Sequence, residues 1–130
     1  MAKQLRVTPE KQLSTIVTLD ALAPGGLAFY KDGSLFIAAL DFVNSQGAIL
    51  AVNPDGSGLR TIIPPLARYM PNDLVFDAQG GFYFIDFKGN ATEPKGGVYY
   101  VSPDFSTIRP VLPNLSMTNG LALSPDGKFL

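Results

Sequence analysis

The chain has 130 residues, 46% hydrophobic and 16% charged, which suits about one packed domain and excludes a multidomain machine, a disordered tail or a coiled coil. Ten basic residues against eleven acidic ones leave a net charge of −1, so neither nucleic acid nor an anionic membrane surface is an expected partner. Cys and His are both absent, which excludes disulfides, thiolate nucleophiles, the usual zinc ligands and a Ser-His-Asp triad within the chain, and leaves carboxylates, amides, hydroxyls or a hard, oxygen-bound ion such as calcium.

Met1 to Glu10 carries no apolar stretch behind its basic residues, so no secretory signal is read there. The clearest apolar run, Leu35 to Leu40, is far shorter than the ~20 residues that span a bilayer. A cytoplasmic protein with no membrane partner is the expectation. Residues 1–21 read as a lead-in with an edge strand. Leu27-Ala28-Phe29 and the segment from Leu35 then flank Asp32-Gly33-Ser34, which reads as a hairpin because Asp-Gly tolerates the positive φ of a tight turn. Ala48 to Val52 and Arg60 to Ile63 follow as a second strand pair, joined through Asn53-Pro54-Asp55-Gly56, where proline pre-sets the turn.

The pattern then repeats. Leu74-Val75-Phe76 leads through Gln79-Gly80-Gly81 to Phe82-Tyr83, and Val98 to Val101 leads through Ser102-Pro103-Asp104 to Ile108–Leu112. A third copy opens with Leu121-Ala122-Leu123 and Asp126-Gly127 and stops at Phe129-Leu130. Leu27, Leu74 and Leu121 are 47 residues apart, as are Gly33, Gly80 and Gly127. Four short antiparallel strands per 47-residue repeat identify β-propeller blades in an all-β chain, at 22–68, 69–115 and a truncated 116–130. Two blades and part of a third cannot close a ring of ~4 to 8, so the chain reads as a partial β-propeller.

Inner strands line the central channel of a propeller, and equivalent positions of successive blades form a ring around it. The residues before each inner strand are Gly25-Gly26, Asn72-Asp73 and Asn119-Gly120. Asn72 and Asn119 share one repeat position, and their amide oxygens suit a calcium-type ion, with Asp73 as a possible source of charge. Equally, an Asn before a strand caps turns and satisfies backbone N–H groups. Asp41-Phe42 and Asp86-Phe87 read as loop caps, and Tyr69, Tyr99 and Tyr100 as packing residues. No phosphate-binding glycine motif occurs.

The run Asn72-Asp73-Leu74-Val75-Phe76-Asp77, with Gly96-Gly97-Val98-Tyr99-Tyr100-Val101-Ser102-Pro103-Asp104-Phe105 and Asn119-Gly120-Leu121-Ala122-Leu123-Ser124, strongly resembles the senescence marker protein/gluconolactonase/luciferin-regenerating enzyme-like family. The likeness is strongest from Pro71 onward. It implies a six-bladed parent that hydrolyses lactone rings with calcium, of which this chain covers about blades two to four. It also implies that Asn72 and Asn119 fall on positions that ligate the catalytic metal. The family's other ligands, a Glu in the first blade and an Asp of proton-transfer role in a later one, have no counterpart here, so no catalytic residue is assigned within the chain. A second, structural calcium known in the family would fall on Ser45, Gly47, Ala67 and Tyr69, but one of its carboxylate ligands aligns with Pro64, which offers no side-chain oxygen.

The expectation is therefore a fragment of a calcium-dependent lactonase with a small-molecule lactone substrate. By itself the fragment should be inactive and, with apolar faces open at both ends, should self-associate. The alternatives are a non-enzymatic propeller scaffold, or a strictosidine-synthase-like or royal-jelly-like propeller without lactonase activity.

Overall fold

A computed structural model describes residues 1–130 and contains ten strands and one 3-10 turn at Pro65–Ala67. Strands β3 (Ala23–Phe29), β4 (Leu35–Asp41), β5 (Gln46–Val52) and β6 (Arg60–Ile63) form one antiparallel sheet in sequential order. Strands β7 (Pro71–Phe76), β8 (Phe82–Asp86), β9 (Gly96–Val101) and β10 (Ile108–Leu115) form a second sheet of the same topology. These are two blades of a β-propeller, packed face to face. The lead-in folds as a separate hairpin of β1 (Ala2–Val7) and β2 (Leu13–Leu19). Its turn has no glycine: Lys11 takes φ 63°, and its N–H donates to the Thr8 carbonyl at 2.8 Å.

Strand β4 is buried along its whole length because both its faces are covered. Phe36 and Ala38, with Ile49, Ala51 and Ile63, meet Leu74, Phe82, Phe84 and Val101 of the second blade. The opposite side chains Leu35, Ile37 and Ala39, with Ala48, Leu50 and Val52, meet Leu19 of the hairpin. An antiparallel strand with water on one face would alternate apolar and polar residues. The continuous run Leu35 to Leu40 is what a strand sandwiched between two neighbours requires. In the second blade Pro71 is the first residue of the inner strand, and Pro110 and Pro113 sit beside two register shifts of the outermost strand.

The third copy departs from the sequence reading. Its turn forms, with the Gly127 N–H donating to the Ser124 carbonyl at 2.8 Å and the Ser124 N–H to the Phe129 carbonyl at 2.9 Å. Leu121–Leu123 and Lys128–Leu130 nevertheless carry no strand. Only three residues follow the turn, too few to offer the inner strand a ladder partner.

The strand registers sort the connections onto two ends. At one end lie the tight turns, where Asp32, Asp55, Asp77, Asp104 and Asp126 each accept a backbone N–H from two residues ahead. At the other end lie the starts of the inner strands β3 and β7, the loops after β4 and β8, and the segments after β6 and β10. No helix is long and apolar enough to cross a membrane.

Candidate functional site at the start of the inner strands

Asn72 lies within β7 at an irregular point of the ladder. Pro71 faces Asp86 and Asp73 faces Ile85, so Asn72 is the extra residue of a bulge. The same irregularity recurs one blade earlier, where Gly25 and Gly26 fall between the pairs Pro24–Ala39 and Leu27–Ile37. Bulges cluster beside active sites because they re-aim a side chain out of the ladder alternation. A side chain on Gly25 would run into the Asn72 carbonyl, so glycine there lets the two inner strands approach closely.

Asn72 and Asn119, like Asn114 on the exposed outer strand, use their side-chain amides in no hydrogen bond within the protein, whereas Asn44, Asn53 and Asn90 do. The capping role that their position permits is therefore unfilled. Asn72 is half-buried and Asn119 is exposed. The segment carrying Asn119 is fixed at both sides: Thr118 Oγ1 donates to the Asp86 carbonyl at 2.8 Å, and the Leu121 N–H donates to Asp73 Oδ2 at 3.2 Å. Asp73 Oδ1 accepts from the Leu74 N–H at 2.9 Å. The carboxylate read from sequence as a possible metal partner thus has both oxygens engaged by backbone amides. Two unpaired amide oxygens are hard neutral donors that fit a calcium-type ion. They bring no charge, and Asp and Glu nowhere gather in a group of three that could hold a metal ion.

The neighbouring acids are caps. Asp41 accepts from the Val43 and Asn44 N–H groups at 3.0 and 3.1 Å, and from Asn44 Nδ2 at 2.6 Å; the Asn44 bonds hold its carboxyl below the usual carboxylate range. Asp86 is 2% exposed and accepts the Met70 N–H at 2.9 Å, which anchors the segment leading into β7. Burial is the main cause that pushes its carboxyl up, against smaller opposing effects from that N–H and from Lys88. A carboxyl raised in the folded state makes folding less favourable as pH climbs from its unfolded value through its folded one. Asp86→Asn keeps an acceptor for Met70 and removes that penalty. The variant is expected to gain urea midpoint at pH 7 and to lose the gain at about pH 3, where both forms are neutral; a gain that persists at low pH would contradict this cause.

Ser45, at φ 51°, and Gly47 lie at the turn into β5, Ala67 closes the 3-10 turn, and Tyr69 packs edge-on against Phe84 and Tyr99 with ring centroids 5.2 and 4.8 Å apart. Ser45 shares an open cleft of about 420 Å³ with Phe42, Met70, Phe87, Lys88 and Lys95. Pro64 stands at the entry to the 3-10 turn, where its carbonyl accepts the Ala67 N–H at 3.0 Å.

A family model for the SMP-30/gluconolactonase/LRE-like region matches residues 2–130. The chain belongs to this family. Among relatives, the protein named lactonase drp35 of Staphylococcus aureus (strain USA300) is 44% identical over 127 residues, covering 96% of this chain and 39% of the relative. Lactonase drp35 of Staphylococcus haemolyticus (strain JCSC1435) is 47% identical over 121 residues, covering 92% and 37%. This family member thus spans about two fifths of the length of those relatives. A chain in a nidogen/laminin complex superposes with TM-score 0.76 at 20% identity, over 95% of this chain and 45% of that one, and shares its fold. Repeat spacing puts Asn72 and Asn119 of this family member at one position, 47 residues apart. The bulge and the Asp73 contact were not read from sequence, and the only sign of the bulge was the Gly25-Gly26 pair at the same repeat position.

Proposed function

We propose that this chain is part of a calcium-dependent lactonase, and that Asn72 and Asn119 offer their side-chain oxygens to its metal. The observation that carries the reading is the pair of uncommitted amides at one repeat position, at the start of β7 and of the unpaired inner segment after the second blade, in a chain 42–47% identical to proteins named lactonases. Calcium held there would polarise the lactone carbonyl as a Lewis acid. The chain's own share of the work is to hold and orient: the bulge directs Asn72 out of the ladder, and the ties at Thr118 and Leu121 fix the backbone that bears Asn119. Charge and the carboxylate that passes a proton between water and the leaving alkoxide come from residues outside these 130. The substrate is a small lactone. Alone, the chain is inactive and self-associates, a reading supported by the open apolar groove of about 340 Å³ between β1 and β3 and by exposed Leu5, Val7, Leu27 and Phe29.

The test is a hybrid in which this chain replaces the matched 127 residues of the Staphylococcus aureus lactonase. Asn72→Ala and Asn119→Ala are each expected to lower calcium-dependent lactone opening by at least about 10–100-fold, the scale of losing even an outer support of a metal site. Asn114→Ala, on an exposed residue of β10, should leave it unchanged. Full activity in both ring variants would remove the asparagines from the site.

A further inference from the structure

The geometry points to Asp73 as a positioning residue: its carboxylate fixes the segment that carries Asn119 against the strand that carries Asn72. The inference rests on the reading of these asparagines as a pair, but its physical core is a contact between blades.

Gly26, Asp73 and Gly120 are 47 residues apart and so occupy one position in three successive inner segments. Asp73 is the only one of the three with a side chain, and both neighbours make room for it. A Cβ on Gly26 would fall onto its carboxylate, 2.6 Å from Cγ and 2.7 Å from Cα. On the other side Gly120, at φ 83°, lets the backbone turn so that the Leu121 N–H meets Oδ2. The carboxylate thus lies against the first blade, is bonded to the Leu74 N–H of its own strand, and grips the segment after the second blade. Hydrogen bonds that involve an ionised acceptor are about twice as strong as neutral ones.

The grip matters because the rest of that segment is held from elsewhere. Ser116 Oγ donates to the Asn90 carbonyl at 2.6 Å, the Met117 N–H to the Lys88 carbonyl at 3.3 Å, and Thr118 Oγ1 to the Asp86 carbonyl. All three ties come from β8 and the loop after it and stop one residue short of Asn119. Asp73 supplies the tie beyond it. Asn119 and Gly120 become a two-residue span fixed at both ends, and the far anchor adjoins Asn72 in sequence. With no ladder partner for Leu121–Leu123, the Asp73 bond is what sets the register of that inner segment.

The experiment is backbone amide hydrogen exchange by NMR on the 130-residue chain and its Asp73→Ala and Asp73→Asn variants, followed by titration of the hybrid lactonase, with and without the same substitutions, with calcium chloride alone. In Asp73→Ala, exchange at Leu121 is expected to quicken by about tenfold or more, as for loss of one charge-assisted hydrogen bond, while Leu50 in β5 keeps its protection. Should that variant fail to fold, Asp73→Asn serves: it keeps the shape but has one acceptor oxygen for two N–H donors, so Leu74 or Leu121 loses protection. Unchanged exchange at Leu121 in Asp73→Ala, or at both Leu74 and Leu121 in Asp73→Asn, overturns the inference. Calcium should shift the side-chain amide signals of Asn72 and Asn119 together in the hybrid and weaken or split that response when Asp73 is replaced. If Leu121 is freed yet both signals still move together at the same calcium concentration, Asp73 does not position the pair. If neither signal moves in the hybrid with Asp73 intact, the calcium reading fails while the exchange result still decides the clamp.

Discussion

The purified 130-residue chain is expected to open simple lactones no faster than buffer, with or without calcium, while the hybrid described above does so readily. The reasoning is electrostatic. A Lewis-acid site needs its cation held firmly, and hard cations of this kind are held largely by carboxylates, with neutral oxygens completing the shell. Asn72 and Asn119 are neutral, Asp73 is committed to two backbone amides, and no three acidic side chains converge. Lactone opening also requires a group that takes a proton from water and returns it to the alkoxide. Asp41 and Asp86, the two buried acids, lie at this end of the sheets and are occupied as caps. Sedimentation of the same sample should show association, because exposed Leu5, Val7 and Phe29 at one end and Met117 and Phe129 at the other are apolar surface without cover. Calcium-dependent turnover by a monomer would mean that the catalytic groups lie within these residues and have been misassigned.

The largest single-residue effect on folding is expected at Phe82. Its side chain is completely buried where the blades meet, with ring centroids 5.9 Å from Phe36, 5.4 Å from Phe76, 6.3 Å from Phe84 and 5.8 Å from Phe105. Those rings come from β4, β7, β8 and the turn before β10, so truncation leaves a cavity that no single segment can move to fill. Phe82→Ala should cost about 3–5 kcal/mol. Since a domain has only about 5–15 kcal/mol in total, much of the chain's cooperativity would go with it. Phe129→Ala, at a position 73% exposed, should stay within about 0.5 kcal/mol. Equal urea midpoints for the two variants would contradict this assignment of the core.

What could be read from sequence follows from how local each feature is. The hairpins were legible because Asp32-Gly33 and Asn53-Pro54-Asp55-Gly56 encode their turns within four residues, and the blades because the encoding recurs at a fixed spacing. The β1–β2 turn was harder to see, since Lys11 adopts a positive φ that lysine does not advertise. Leu121–Leu123 has the composition of an inner strand, but a strand is a pairing, and its partner is not present. The two asparagines were identifiable by repeat position, whereas their freedom from hydrogen bonds depends on what surrounds them. For Asp73 the sequence suggested a charge for the metal; the structure gives the carboxylate to the N–H of Leu121, and only the arrangement of three successive blades could reveal that.

The most direct test of the account is a crystal structure of the hybrid lactonase grown with calcium. The account predicts one ion with the side-chain oxygens of Asn72 and Asn119 both at about 2.3–2.6 Å from it, and with Asp73 still bonded to Leu121 and outside the coordination shell. Asn72 and Asn119 amides turned apart with no ion between them, or Asp73 itself bound to the metal, would contradict it.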